Sequence, residues 1–247
     1  MCNDLSEFRV SPRSADVWTL PIRTEQPILD ELGQTLSPDE WERALRFRAE
    51  EHRDLFIAGR AILRMLLSCY ISERPAQLVF RYGPNGKPHL RDHPGLHFSL
   101  AHSGGHAVYA VGTDDLGIDI ELVKSTTDWQ NISRRFFSSR EVDELEKLDP
   151  AQQTAGFFAC WTRKEAYLKA TGEGLRLALN KFYAGAILSR ANGVIEEDGK
   201  ASQWFYKDLR MPEKYAGAIV TRYSECGIRL FEFARTEDCV SFVQGKI

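Results

Sequence analysis

The sequence has no paired cysteines, no run apolar enough to cross a bilayer and no excess of positive charge. Its five cysteines, Cys2, Cys69, Cys160, Cys226 and Cys239, are odd in number, scattered, and contain no C-x-x-C pair. That argues against a disulfide framework or a structural zinc site and for a reducing cytoplasm. The most apolar stretch, Leu55 to Ile71, is broken by Arg60 and Arg64 and is too short for a membrane span. Met1 to Glu7 lacks the basic and then apolar order of an export signal. A net charge of −3 gives no general reason to expect nucleic-acid binding. What remains is 247 residues, 43% hydrophobic and 27% charged, an ordinary globular composition long enough for one domain or two.

The most informative stretch is Gly117-Ile118-Asp119-Ile120-Glu121. In an extended strand Asp119 and Glu121 share one face, while Ile118, Ile120 and Leu122 anchor the other. Two neighbouring carboxylates repel unless a positive charge lies between them. A hard cation such as Mg²⁺, which takes oxygen ligands, would supply it; a solvated acidic edge is the alternative.

About forty residues on, Asp149-Pro150 opens a helix as N-cap and first-turn proline, and Gly172 ends it. Phe157, Phe158, Trp161 and Leu168 form its apolar stripe, and Glu165 falls inside that stripe. An ionised carboxylate there is costly unless it is paired or bound to metal. Lys169, four residues on, could pair with it. Alternatively, Glu165 joins Asp119 and Glu121 as a third oxygen ligand.

Upstream, Ser37-Pro38-Asp39-Glu40 is a capping-box start for a helix bearing Arg43 and Arg46. A second helix, from about Glu51 to Tyr70, aligns Arg53, Arg60 and Arg64 on one face. This is either a solvated basic face or a rail for phosphate groups. Gly83 to Pro88 is turn chemistry between strands, and it presents Lys87 from a stiff loop. Leu96 to Val111 reads as a hairpin turning at Gly104-Gly105, with His102 beside the turn as a candidate phosphate donor. The segment from Lys124 to Arg140 sets Trp129, Phe136 and Phe137 beside Arg134 and Arg135, either as a docking surface or as a loop anchored in the core. The remainder alternates in strand fashion. Each half of the chain has helices followed by a hairpin, which suggests two similar α+β halves, 1–116 and 117–247, meeting beside the strand carboxylates. Clefts between domains are favoured ligand sites.

Together G-K-P at 86–88, F-S-L-A-H-S at 98–103, G-I-D-I-E at 117–121, W-T-R-K-E-A-Y-L-K at 161–169 and G-E-G-L at 172–175 resemble the Sfp-type 4′-phosphopantetheinyl transferases. The resemblance spans roughly 37–185. It implies an α+β fold of two pseudo-twofold halves with coenzyme A in the cleft between them. It also implies transfer of 4′-phosphopantetheine to a serine of an apo acyl or peptidyl carrier protein. Asp119, Glu121 and Glu165 would then correspond to the Mg²⁺ ligands, and Lys87 and His102 would sit on coenzyme A phosphates. Arg43 would reach the nucleotide end with Arg53 as helper. Lys169 would lie by the pyrophosphate, with Glu165 as the base. Ala101 departs from the usual serine and removes one expected phosphate contact. A monomer is expected, with no nucleic-acid or membrane partner. The alternative is a Mg²⁺-dependent coenzyme A or nucleotide binding protein without transfer activity.

Overall fold

The computed structural model describes residues 8–71 and 73–245, so the Met1–Glu7 segment read for export signals lies outside the described residues. The fold is α+β. Strand β1 (Ser14–Pro21) leads to helices α1 (Gln26–Gly33), α2 (Pro38–Ala44) and α3 (Glu50–Ser68). A short hairpin, β2 (Phe80–Tyr82) and β3 (Pro88–Leu90), and a long one, β4 (His97–Ser103) and β5 (His106–Gly112), follow. Next come β6 (Leu116–Leu122), α4 (Trp129–Phe136), α5 (Ser139–Glu146) and α6 (Pro150–Thr171). The chain finishes with β7 (Phe182–Tyr183), β8 (Asn192–Glu197), β9 (Lys200–Asp208), β10 (Tyr215–Thr221), β11 (Gly227–Glu232) and α7 (Thr236–Gln244).

Two sheets result, ordered β11-β1-β5-β4 and β6-β10-β9-β8-β7. Strand β5 is buried on both faces, which explains why His106 to Val111 is apolar beyond simple alternation. Ala107, Tyr109 and Val111 enter a core with Trp18, Leu20, Ile62 and Leu66 beneath the helices. Val108 and Ala110 turn the other way and meet Ile118, Ile120 and Ile219 of the second sheet. The second sheet's opposite face packs on α6. Gly117 sets that approach: a Cβ there would lie 2.0 Å from the Ala166 carbonyl oxygen and 2.3 Å from the Ala170 nitrogen.

The expected halves share a structural device. Glu40, the capping-box acid of α2, takes the buried Arg64 of α3 at 2.6 Å, and Arg64 also donates to the Pro75 and Leu78 carbonyls. Glu141, the capping-box acid of α5, takes the buried Lys164 of α6 at 2.8 Å, and Lys164 donates to the Leu179 and Phe182 carbonyls. At both places, then, a short helix start, a long helix and the chain that follows are tied at one buried cation. The segment 117–247 nevertheless serves both sheets, because β11 returns to pair in parallel with β1 and α7 closes the first core through Cys239, Val240 and Val243.

The phosphate rail does not form. Arg64 is 1% exposed and committed to Glu40, Ser37 and backbone carbonyls. Arg60 is also buried, ion-paired to Glu40 at 3.2 Å and donating to the Tyr82 hydroxyl. Arg60 and Arg64 look inward, while Arg53 stays at the surface, paired with Glu50 and Asp54.

Candidate active site

His102 from β4, Asp119 and Glu121 from β6, and Glu165 and Lys169 from α6 line one cleft of about 410 Å³. Leu100, Ala101 and Trp161 complete its wall. A second limb of about 290 Å³ shares Leu100, Glu165 and Lys169 and runs past Phe98 and Leu168 to Lys87.

The local sequence dictates this convergence. Trp161, Glu165 and Lys169 recur at four-residue spacing and so share one side of α6. The rotation of that helix is locked from behind by Arg163, which grips Asp208 with bonds of 2.7 and 2.6 Å, and by Lys164 on Glu141. Phe157, Phe158 and Leu168 of the stripe are buried in the core, while Trp161 and Glu165 line the cleft, where Glu165 is half-buried. On β6, Gly117 presses against α6, and the two residues of the same face beyond it, Asp119 and Glu121, open into the cleft.

Lys169 does not pair with Glu165 as helix spacing allowed. Its ammonium donates to Asp119 Oδ1 at 2.6 Å across the cleft. Asp119 is 4% exposed, and its Oδ2 is buried without a partner among the described residues. Burial pushes the Asp119 carboxyl up to about 7 against the pull of Lys169, with Glu121 and Glu165 adding repulsion. Burial also raises Glu165, opposed by Lys169 and reinforced by Glu121. His102 is held below its usual range by burial and then by the Lys169 charge, so it is a neutral imidazole near pH 7.

Among the described residues no three acidic, histidine or cysteine side chains close on one point as a metal cage. The three carboxylates line one cleft without converging tightly, and Lys169 holds one oxygen of Asp119. Their donor chemistry nevertheless fits a hard cation: three carboxylates share the site, and one buried oxygen has no protein partner.

Lys87 sits where its turn docks on the end of α6. It donates to the Ala170 carbonyl at 2.7 Å and faces Asp115 at 3.5 Å, while Asn85 donates to the Gly172 carbonyl. Burial lowers the Lys87 ammonium. Arg43 is exposed with its guanidinium over the Phe56 ring, and Arg53 pairs with Glu50 and Asp54. Neither is among the cleft-lining residues. Ala101 is buried beside Val108, Ile118 and Ile120. Trp129 and Phe137 are core anchors, whereas Arg134, Arg135 and Arg140 are exposed and Phe136 is half-buried.

Sequence reasoning passed over Ser103, whose Oγ donates to Glu121 Oε2 at 2.8 Å. The available signal was its place beside His102, on the face of β4 that also carries Ser99.

The model of the 4′-phosphopantetheinyl transferase superfamily matches residues 115–220. The chain is 44% identical over 163 residues to 4′-phosphopantetheinyl transferase HetI of a Nostoc species, covering 64% of this chain and 69% of the relative. It is 37% identical over 184 residues to psf-1 of Bacillus pumilus, 72% of each. Against Sfp of Bacillus subtilis it is 28% identical over 188 residues, 76% of each. All three carry the name 4′-phosphopantetheinyl transferase.

Proposed function

The chain belongs to the 4′-phosphopantetheinyl transferase superfamily, and from that premise we infer that it moves the 4′-phosphopantetheine arm of coenzyme A onto a serine hydroxyl of an apo acyl or peptidyl carrier protein, releasing 3′,5′-ADP. The observation that carries this reading is the cleft itself, where Asp119, Glu121, Glu165, Lys169 and His102 meet from three elements.

Asp119, Glu121 and Glu165 would hold Mg²⁺, which neutralises the crowded charge of a diphosphate when bound. The chain's own residues divide the remaining work. Lys169, released from Asp119, donates to the phosphate oxygens and stabilises the charge that develops on the leaving nucleotide. His102, a neutral imidazole, donates one N–H to a phosphate oxygen without adding charge. Lys87, at the far limb, adds positive charge beside the coenzyme phosphates. Phe98, Leu100 and Leu168 offer an apolar wall along which the pantetheine arm can lie. Arg43 and Arg53 would orient the nucleotide end outside the cleft.

Glu165 is the base. It lines the cleft with the other carboxylates and is placed to take a proton from the acceptor serine. The serine oxygen then forms its bond to the pantetheine-bearing phosphorus as the phosphoanhydride bond breaks, and the electron pair leaves with 3′,5′-ADP. Arg134 and Arg135 give a carrier an exposed basic surface to meet.

The test is the intact mass of an apo carrier protein incubated with the chain, coenzyme A and Mg²⁺. Gain of one phosphopantetheine is expected. Tight coenzyme binding with no mass gain on any of several carrier types would instead favour a binding protein.

A further inference from the structure

The transfer reading uses His102 but leaves the opposite face of β4 unexplained. There Ser99 and Ser103, four residues apart, turn their hydroxyls toward the edge of β6. The Ile118 amide donates to Ser99 Oγ at 3.2 Å, and the Leu122 amide donates to Ser103 Oγ at 3.1 Å. Strands β4 and β6 belong to different sheets, so these side-chain bonds take the place of a backbone ladder. The two clamped amides bracket Asp119 and Glu121.

The serines differ in one respect. Ser103 Oγ also donates to Glu121 Oε2 at 2.8 Å. Among the described residues, Ser99 Oγ bonds only the Ile118 amide. The Leu122 amide, the Ser103 hydroxyl and the Glu121 carboxylate thus form a directed relay. A hydroxyl whose oxygen already accepts an amide proton is the stronger donor for it. The relay fixes the rotation of the Glu121 carboxylate, and outer partners of this kind orient ligating carboxylates and tune their affinity.

We propose that Ser103 is a positioning residue that aims Glu121 into the transfer cleft, and that Ser99, which lines the second limb and bonds no carboxylate, has no such role. The proposal rests on the reading of Asp119, Glu121 and Glu165 as cation ligands. Its prediction is an asymmetry between two similar substitutions: Ser99→Ala and Ser103→Ala each remove one clamp on β6, but only the second frees a carboxylate.

The experiment titrates Mn²⁺ into the full-length chain without coenzyme A, by calorimetry, for wild type, Ser99→Ala, Ser103→Ala and Ser103→Thr. Thermal melts of the same samples accompany it. Both alanine variants should melt lower than wild type. Ser103→Ala should bind Mn²⁺ roughly tenfold more weakly, Ser99→Ala as wild type does, and Ser103→Thr, which keeps the hydroxyl, close to wild type. If Ser103→Ala does not melt cooperatively, Ser103→Cys, similar in size with a weak donor, takes its place in the same comparison. Unchanged affinity in the Ser103 variant, or an equal loss in Ser99→Ala, overturns the positioning role and leaves the cation reading standing. A wild type that takes up no Mn²⁺ overturns the cation reading itself, and the proposal with it.

Discussion

Asp119 is the residue whose environment conflicts most with its charge. It is nearly fully buried, one oxygen is held by Lys169, the other has no partner, and its carboxyl rises to about 7. The sign of the consequence follows directly. Between the ordinary carboxylate range and about 7 the unfolded chain releases a proton that the folded chain keeps. Stability without divalent cation therefore falls as pH rises through that window and levels off above it. Asp119→Asn has no such proton, so its urea midpoint should gain on wild type across the window; parallel midpoints at every pH would refute the account. Cation binding requires the ionised form, so added Mg²⁺ should stabilise wild type most at the upper end of the window. Glu165 makes the complementary prediction. Glu165→Gln keeps shape and burial but cannot accept the serine proton, so transfer should slow by roughly 10²- to 10⁴-fold while the melting midpoint stays close to wild type. A near-normal kcat would remove Glu165 from the base role. All of these side chains could be read from the sequence as site residues. Which partner Lys169 chose could not be read, because helix spacing offers Glu165 whereas the pairing with Asp119 depends on how far β6 lies from α6.

At the scale of elements that separation is set by Gly117. The invasive position of a Cβ there, against the Ala166 carbonyl and the Ala170 backbone, means that Gly117→Ala must move one element off the other. A cost of about 3 kcal/mol or more is expected in chemical denaturation, with loss of transfer in whatever remains folded; a wild-type melt would show that strand and helix are not in the stated contact. The long elements were legible. Helix α6 begins at Pro150 after Asp149 and ends at Gly172 in the left-handed conformation, as its caps announced. Helix α3 and the β4–β5 hairpin also match their patterns. The short helices α1, α4 and α5 span eight residues each, too few turns for an apolar period to stand out from polar surroundings. The buried cations were illegible for another reason. Arg64, Arg163 and Lys164 read as surface residues by type, and only tertiary partners 11 to 45 residues away make their burial tolerable.

For the whole molecule, the α+β class and two runs of helices each followed by a hairpin were visible in the pattern of elements. The path of the last strand was not. Strand β11 joins the first sheet by pairing with β1, where Arg229 grips the buried Asp16 with two bonds of 2.7 Å and Phe231 stacks on Trp18 at 4.1 Å. Its own burial is slight, so its pattern gave no hint of its neighbour. Removing 227–247 should abolish cooperative melting of the whole chain, followed by circular dichroism, although the cleft residues all lie upstream. Retention of a sharp transition would mean that the first sheet is self-sufficient without its outer strand.

Residues 16 and 229 are 213 positions apart in the chain, so synthesis itself is affected. As the polypeptide leaves the ribosome, Trp18 and the outer edge of β1 stay uncovered while the residues between β1 and β11 are being made. Folding of the first half cannot finish by stepwise addition of completed units. It must wait for the β11 segment to emerge, which leaves translation speed and holding chaperones a say in the yield of active enzyme.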